Sequence, residues 1–200
     1  KTMIESGNLR ASGPWQSTVG MDLHGKTLGV LGLGKLGLQV ANIGRAFGMK
    51  VMAWSQNLTP EACFAAGVEH AGSLDLLVSA SDVLTIHLIL SKRTRGMLGD
   101  AQLRLMKPSA LLVNTSRGPI VDESALIATL RDKRIAGAAL DVFDIEPLPP
   151  GHPLRTLDNV LATPHLGYVS EESYKAYFGG VVADITGWLE GKPQRELLPG

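Results

Sequence analysis

The chain reads as an α/β protein, a doubly wound parallel sheet with helices on both faces, and three features predict it. An apolar run, Thr27-Leu28-Gly29-Val30-Leu31, breaks into Gly32-Leu33-Gly34-Lys35-Leu36-Gly37 and continues in a helical pattern. Further apolar runs of strand length follow at Val51–Trp54, Val83–Leu88, Leu111–Asn114, Ala136–Leu140 and Val160–Ala162. Helical segments separate most of these runs, the alternation that parallel strands with crossover helices require.

Taken in order, Ile4 to Leu9 suggests a helix, and Ala11-Ser12-Gly13-Pro14-Trp15 breaks it into an exposed loop. The fold proper starts near Gly25, after a partial connector helix and loop over residues 1–24. The absence of an initiator Met and the helix-like start lead us to expect further chain before Lys1. Gln39, Val40, Ile43, Ala46 and Phe47 are expected to give the first crossover helix its apolar face. Asp122 caps a later helix whose Leu126, Ile127 and Leu130 point inward. The dinucleotide-binding unit is expected over 25–168, and a C-terminal helix and tail over 169–200. That helix opens on Ser170, Glu171 and Glu172 and shows Tyr174, Phe178, Val181, Ile185 and Trp188 at helical spacing, a docking face for the domain or for a second subunit.

Composition narrows the function. Nineteen basic and nineteen acidic residues cancel, which gives no basis for nucleic acid or an anionic membrane as partner. No apolar stretch approaches a membrane span, and the N-terminal residues lack a signal-peptide core. Cys63, the single cysteine, can form no internal disulfide, and its helical context packs it as a small hydrophobe, which fits a reducing, cytoplasmic setting. His24, His70 and His152 lack partners at metal-ligand spacing and read as solvated, so no metal site is expected.

The chemistry is carried by the glycines and by the polar residues after each strand. Gly32 permits the tight turn, Gly34 lets backbone approach a pyrophosphate, and Gly37 lets the helix pack closely, its N-terminus supplying N–H donors. This is a Rossmann-type signature for a dinucleotide. Ser55, about twenty residues past Gly34, stands where an NAD enzyme carries an acid for the ribose hydroxyls. Ser55, Gln56 and Asn57 can bond a hydroxyl without repelling a 2′-phosphate, so NAD and NADP both remain open. Arg117 follows a strand end and could grip a carboxylate through parallel donors. Glu146 and His165 follow two successive strands, and a carboxylate on the far nitrogen of an imidazole makes an acid/base pair.

The ordered set Gly32-x-Gly34-x-x-Gly37, Asn114-Thr115-Ser116-Arg117-Gly118, Asp141-Val142-Phe143-x-x-Glu146-Pro147 and Thr163-Pro164-His165-x-Gly167 resembles the D-isomer-specific 2-hydroxyacid dehydrogenases, from about Trp15 onward. The resemblance implies hydride transfer between NAD(P)H and the C2 carbonyl of a small 2-oxo acid such as glyoxylate or hydroxypyruvate. It implies a catalytic set of Arg117, Glu146 and His165, with Arg117 holding the carboxylate and Glu146 supporting His165. It implies cofactor contacts from the glycine loop, the Lys35 and Leu36 backbone, Ser55, His87, Thr94, Thr115, Ser116, Arg117, Asp141, His165 and Gly167, with Asp141 meeting the nicotinamide carboxamide. It also implies a homodimer and an N-terminal substrate domain that these residues do not contain. Two positions depart from the family pattern: Ser55 replaces a frequent Asp, and the loop His87-Leu88-Ile89-Leu90 lacks a frequent Pro. Formate dehydrogenases of the same superfamily carry Gln where Glu146 stands, so the Glu146/His165 pair favours a ketone/alcohol couple. A non-catalytic regulatory dinucleotide module is the alternative, and a self-associating scaffold a third reading; the scaffold would bind no cofactor.

Overall fold

A computed structural model describes residues 2–195, with the side chains of Thr2 and Met3 left aside. Residues 196–200, the end of the expected C-terminal tail, lie outside the described residues. A helix, α1 (Thr2–Arg10), precedes a loop to β1 (Thr27–Leu31), after which come α2 (Lys35–Ala46), β2 (Lys50–Trp54), α3 (Pro60–Ala65), β3 (Glu69–His70), α4 (Leu74–Ala80) and β4 (Val83–Ile86). The second half holds α5 (Asp100–Leu103), β5 (Leu111–Asn114), α6 (Glu123–Arg131), β6 (Gly137–Leu140), β7 (Val160–Ala162) and α7 (Glu171–Leu189).

The seven strands pair in parallel in the order β3-β2-β1-β4-β5-β6-β7. The order reverses between β1 and β4, and in such sheets the ligand crevice lies beyond the carboxyl ends of the strands at that switch. Side chains alternate across β1: Leu28 and Val30 enter a core with Ala41, Val51, Ala53 and Cys63, while Leu31 enters a larger one with Leu77, Leu84, Ile86, Leu112 and Leu130. Each face of the sheet thus has its own helix layer, and Cys63 is the small buried hydrophobe expected.

Three details differ from the sequence reading, and the α7 stripe, expected to dock on the domain or on a second subunit, keeps only the second alternative. In α2 the buried stripe is Gly37, Ala41 and Gly44, and Ile43 and Phe47 are 57% and 59% exposed. Small residues win that face because the helix must lie almost on the sheet. A Cβ on Gly44 would stand 2.5 Å from Leu28 Cδ2, and one on Gly37 only 2.0 Å from the Gly32 carbonyl oxygen. The stripe of α7 is not docked on this chain: Phe178 and Trp188 are 65% and 72% exposed, and Gly187 alone is buried in that helix. Strand β4 ends at Ile86, although the His87 N–H still donates to the Leu31 carbonyl at 2.8 Å before the chain turns away. The edge strand β3, two residues long, carries no periodicity that a sequence could reveal. Among the described residues no helix is long and apolar enough to cross a membrane.

Candidate active site

The glycine turn is built as its residues demand. Gly32 has φ of +101°, and a Cβ there would stand 2.9 Å from the His87 carbonyl oxygen. A Cβ on Gly34, by contrast, would meet nothing within 4 Å. The fold itself therefore leaves room at Gly34, in the place where a pyrophosphate would lie over the helix end. Gly34 is also the N-cap of α2 and offers no side-chain acceptor, so the first N–H groups of that helix keep donors for an anion. Glycine, uncapped helix and adjoining cavities fit a dinucleotide.

Those cavities follow the carboxyl edge of the sheet. One of about 580 Å³ is lined by Ser55, Gln56, Asn57, His87, Arg93 and Thr94, among others. A second, of about 570 Å³, shares His87 and takes in Leu36, Thr115, Ser116 and Arg117. A third, of about 650 Å³, lies between the loops after β6 and β7 and is lined by Glu146, Arg155, Thr163 and His165. Of the sequence-predicted residues, Lys35, Gly37, Asp141 and Gly167 line none of the three. Burial depresses the basicity of His87, which favours the neutral imidazole, and its Nε2 lies 3.0 Å from the Thr85 hydroxyl. Thr94 serves its own loop, its hydroxyl accepting the Ser91 N–H and donating to the Ile89 carbonyl, each at 2.8 Å.

Arg117 is placed by the turn after β5. The side chain of Asn114, 1% exposed, accepts the Ser116 N–H and donates to the Arg117 carbonyl, both at 3.0 Å, and wraps the turn around itself. The Ser116 hydroxyl donates to the Leu88 carbonyl and ties this turn to the end of β4. Gly118 packs backbone on backbone, since a Cβ would lie 2.1 Å from the Phe143 carbonyl carbon. This contact brings the arginine turn against the loop that carries Glu146.

Glu146 and His165 meet: His165 Nδ1 lies 2.7 Å from Glu146 Oε2, while Oε1 accepts the Phe143 N–H at 2.9 Å. Burial works to raise the Glu146 pKa. The His165 hydrogen bond, the Phe143 N–H and the nearby charges of His165 and Arg117 outweigh it and hold the carboxyl below its usual range. The bond at Nδ1 leaves Nε2 as the imidazole atom free to face a ligand. Both side chains are more than a third exposed, so the cavity is open to incoming molecules from solvent.

His165 adopts φ of +56°, a left-handed conformation that costs a non-glycine residue about 1–3 kcal/mol and persists only where its surroundings impose it. Asp141, at the end of β6 and 7% exposed, imposes it. One of its carboxylate oxygens accepts the Leu166 N–H and the other the Gly167 N–H, each at 2.8 Å, and Thr163 donates its hydroxyl. Successive N–H groups after a left-handed residue converge on one anion, the geometry of a backbone nest. The carboxylate that the resemblance directs at the nicotinamide carboxamide also shapes the His165 loop, with the Gly167 N–H among its donors.

This has a pH consequence. Burial pushes the Asp141 pKa up, and the Thr163 hydroxyl, the two N–H groups and the His165 charge more than reverse it, so the folded value is lowered. A carboxyl with a depressed folded value adds stability that is fully present above its unfolded pKa and is lost as pH falls through the folded one. The thermal midpoint should be level from neutrality to the ordinary carboxylate range and drop below it. Asp141→Asn should begin lower and drop less. An unchanged acid slope in that variant, followed by circular dichroism, would remove Asp141 as the group responsible.

A further tether escaped the sequence reading. Glu123, the first residue of α6, accepts the Asp144 N–H at 3.3 Å and pairs with His152 Nε2 at 3.1 Å, clasping both arms of the loop that bears Glu146. His152 is therefore paired and not solvated, and His70 bonds the Leu58 carbonyl at 3.1 Å; His24 is exposed as expected. Only the Asp122–Glu123 helix start hinted at an acid near that loop.

A family-wide sequence model described as the NAD binding domain of D-isomer specific 2-hydroxyacid dehydrogenases matches residues 1–167. A glyoxylate reductase of Aeropyrum pernix is 44% identical over 180 residues, covering 90% of this chain and 53% of that protein. The crystal structure of a phosphoglycerate oxidoreductase from Vibrio cholerae superposes with a TM-score of 0.88 at 35% identity, over 96% of this chain and 62% of that one. An acyclic imino acid reductase in complex with NADPH and D-Arg superposes at 0.80 with 29% identity, over 98% and 62% of the two chains. The chain spans about half to two thirds of the length of these relatives.

Proposed function

Because the chain belongs to the D-isomer specific 2-hydroxyacid dehydrogenases, as their NAD-binding domain, we propose that it works as the cofactor-holding and proton-handling half of an oxidoreductase for small 2-oxo and 2-hydroxy acids, glyoxylate or hydroxypyruvate among them. The observation that carries this reading is the 2.7 Å contact between His165 Nδ1 and Glu146 Oε2, next to the Arg117 turn.

The turn at Gly32 and Gly34 with the free N–H groups of α2 would hold a nicotinamide dinucleotide, whose chemistry there would be hydride exchange with C2 of the substrate. Glu146 fixes the imidazole through Nδ1, so Nε2 is the atom that gives a proton to the substrate oxygen on reduction and accepts one on oxidation. The ionised carboxylate stabilises the imidazolium that forms on oxidation. The Arg117 guanidinium, anchored by one N–H to the Ser116 carbonyl at 2.6 Å, has donors left for the substrate carboxylate. Asp141 keeps the His165 loop in its left-handed turn so that proton transfer starts from one geometry.

The length of the relatives supports a substrate-binding domain outside this chain, one that closes over the third cavity and excludes water. A homodimer and a cytoplasmic location belong to the same reading; the exposed apolar face of α7 supports the first. The balanced charge supports a small-molecule partner in preference to nucleic acid.

The test is cofactor titration of the chain by calorimetry, followed by turnover in a chimera supplying the part of the Aeropyrum pernix relative this chain does not span. We expect saturable binding of NAD(P)H and its oxidation on adding glyoxylate or hydroxypyruvate. Binding with no 2-oxo-acid-dependent oxidation would favour a regulatory dinucleotide module, and absence of binding would sink both readings.

A further inference from the structure

We propose that the adenosine end of the cleft is built for the 2′-phosphate of NADP(H), and that Arg93 is the residue that selects it. The inference rests on the dinucleotide reading and goes beyond it, since neither the glycine turn nor the acid/base pair distinguishes the two cofactors.

The cavity beside the glycine turn is walled on one side by Ser55, Gln56 and Asn57 after β2 and on the other by the loop after β4, which contributes Arg93. No carboxylate lines it. An NAD-selective site places an acid at the end of β2, where it takes the ribose hydroxyls and repels a 2′-phosphate. Here a hydroxyl and two amides stand in its place, neutral groups that bond a phosphate oxygen as readily as a hydroxyl. His87, the other titratable group on the wall, has its basicity lowered by burial, which favours the neutral imidazole. Arg93 is the one permanently charged side chain lining this cavity among the described residues.

Its own bonding supports the assignment. The loop that carries Arg93 is fixed by internal hydrogen bonds, the Arg93 N–H donating to the Ser91 hydroxyl at 3.3 Å and Thr94 bonding both Ser91 and Ile89. Its guanidinium makes no ion pair and no hydrogen bond among the described residues, whereas Arg104, Arg134, Lys107 and Lys133 are all paired with aspartates. An exposed, unpaired arginine held at the rim of a cavity without acids presents a planar fork to a dianionic phosphate, the geometry guanidinium binds in bidentate fashion. In sequence Arg93 lies far from the β2 end, which is why Ser55-Gln56-Asn57 by itself offers no cation.

The experiment is calorimetric titration of the chain at low ionic strength with NADPH and NADH, repeated with the fragments 2′,5′-ADP and 5′-ADP, which sample the adenosine end alone. We expect about tenfold tighter binding of the 2′-phosphorylated member of each pair, narrowing as salt is raised because the site is exposed. Arg93→Ala should bring both ratios close to one, and Ser55→Asp should reverse the cofactor preference. Equal affinities for NADH and NADPH in the unmodified chain would overturn the proposal, as would a preference that survives Arg93→Ala. Failure of the folded chain to bind either cofactor would instead overturn the dinucleotide reading on which the proposal stands.

Discussion

Replacing Gly34 by valine is expected to weaken dinucleotide binding by about a hundredfold, equivalent to ~2.7 kcal/mol and within the cost of forcing side-chain atoms into occupied space. The fold should hardly notice. A Cβ at Gly34 meets nothing within 4 Å in the chain itself, so the space it would fill belongs to the ligand. The residue is also an N-cap at φ of −81°, open to any amino acid, and losing glycine there costs about 1 kcal/mol, a few degrees in thermal midpoint. Gly37 provides the contrast, because its Cβ would stand 2.0 Å from the Gly32 carbonyl oxygen and any side chain must push α2 away from β1. Calorimetric titration together with a melting curve decides the matter. Retained affinity in Gly34→Val would show that the glycine turn is not where a dinucleotide lies, and a collapse of the fold would show that the open space has another purpose.

His165→Ala should lower turnover in the chimeric enzyme by roughly a hundred- to ten-thousandfold, the usual contribution of a positioned acid/base group. Cofactor affinity should change little, since the proton is handled at the substrate oxygen and not at the dinucleotide. Glu146→Gln should cost less, because glutamine can still accept from Nδ1 at 2.7 Å but no longer offers a charge to an imidazolium. The ordering of the two variants is the informative part. Steady-state rates with glyoxylate and NAD(P)H measure it, and a His165→Ala enzyme with unimpaired kcat would remove the imidazole from the proton path. Alanine also keeps a Cβ in the left-handed turn, so the 163–167 loop retains its shape and the comparison isolates the ring.

How much of this could be read beforehand depended on whether the cause was local. Strand runs such as Leu28–Leu31 and Leu111–Asn114, the glycine turn and the Asp122 cap were legible because apolar run length, turn chemistry and capping act over a few residues. The pair of Glu146 and His165 was legible because both follow strands, and a parallel sheet delivers all its strand ends to one edge. The inward face of α2 is not legible in the sequence because large apolar residues dominate its periodicity. What decided that face was the short distance between helix and sheet, which only Gly37, Ala41 and Gly44 tolerate. Chain order likewise concealed that Glu123 clasps Asp144 and His152, and that Arg93 looks onto the same cavity as Ser55.

By itself, then, the sequence determined the fold class, the order of the elements, the dinucleotide turn and the residue types available for proton transfer and carboxylate binding. These follow from local propensity, periodicity and the topological rule that places strand ends together. Only the tertiary structure decided which of those residues are committed to holding others in place, as Asp141 is to the left-handed turn at His165. It alone decided which helix face is buried and which charges share a cavity. The physical reason is that hydrogen bonds, close packing and electrostatic fields act through space over a few ångströms, between groups that the chain keeps tens of residues apart.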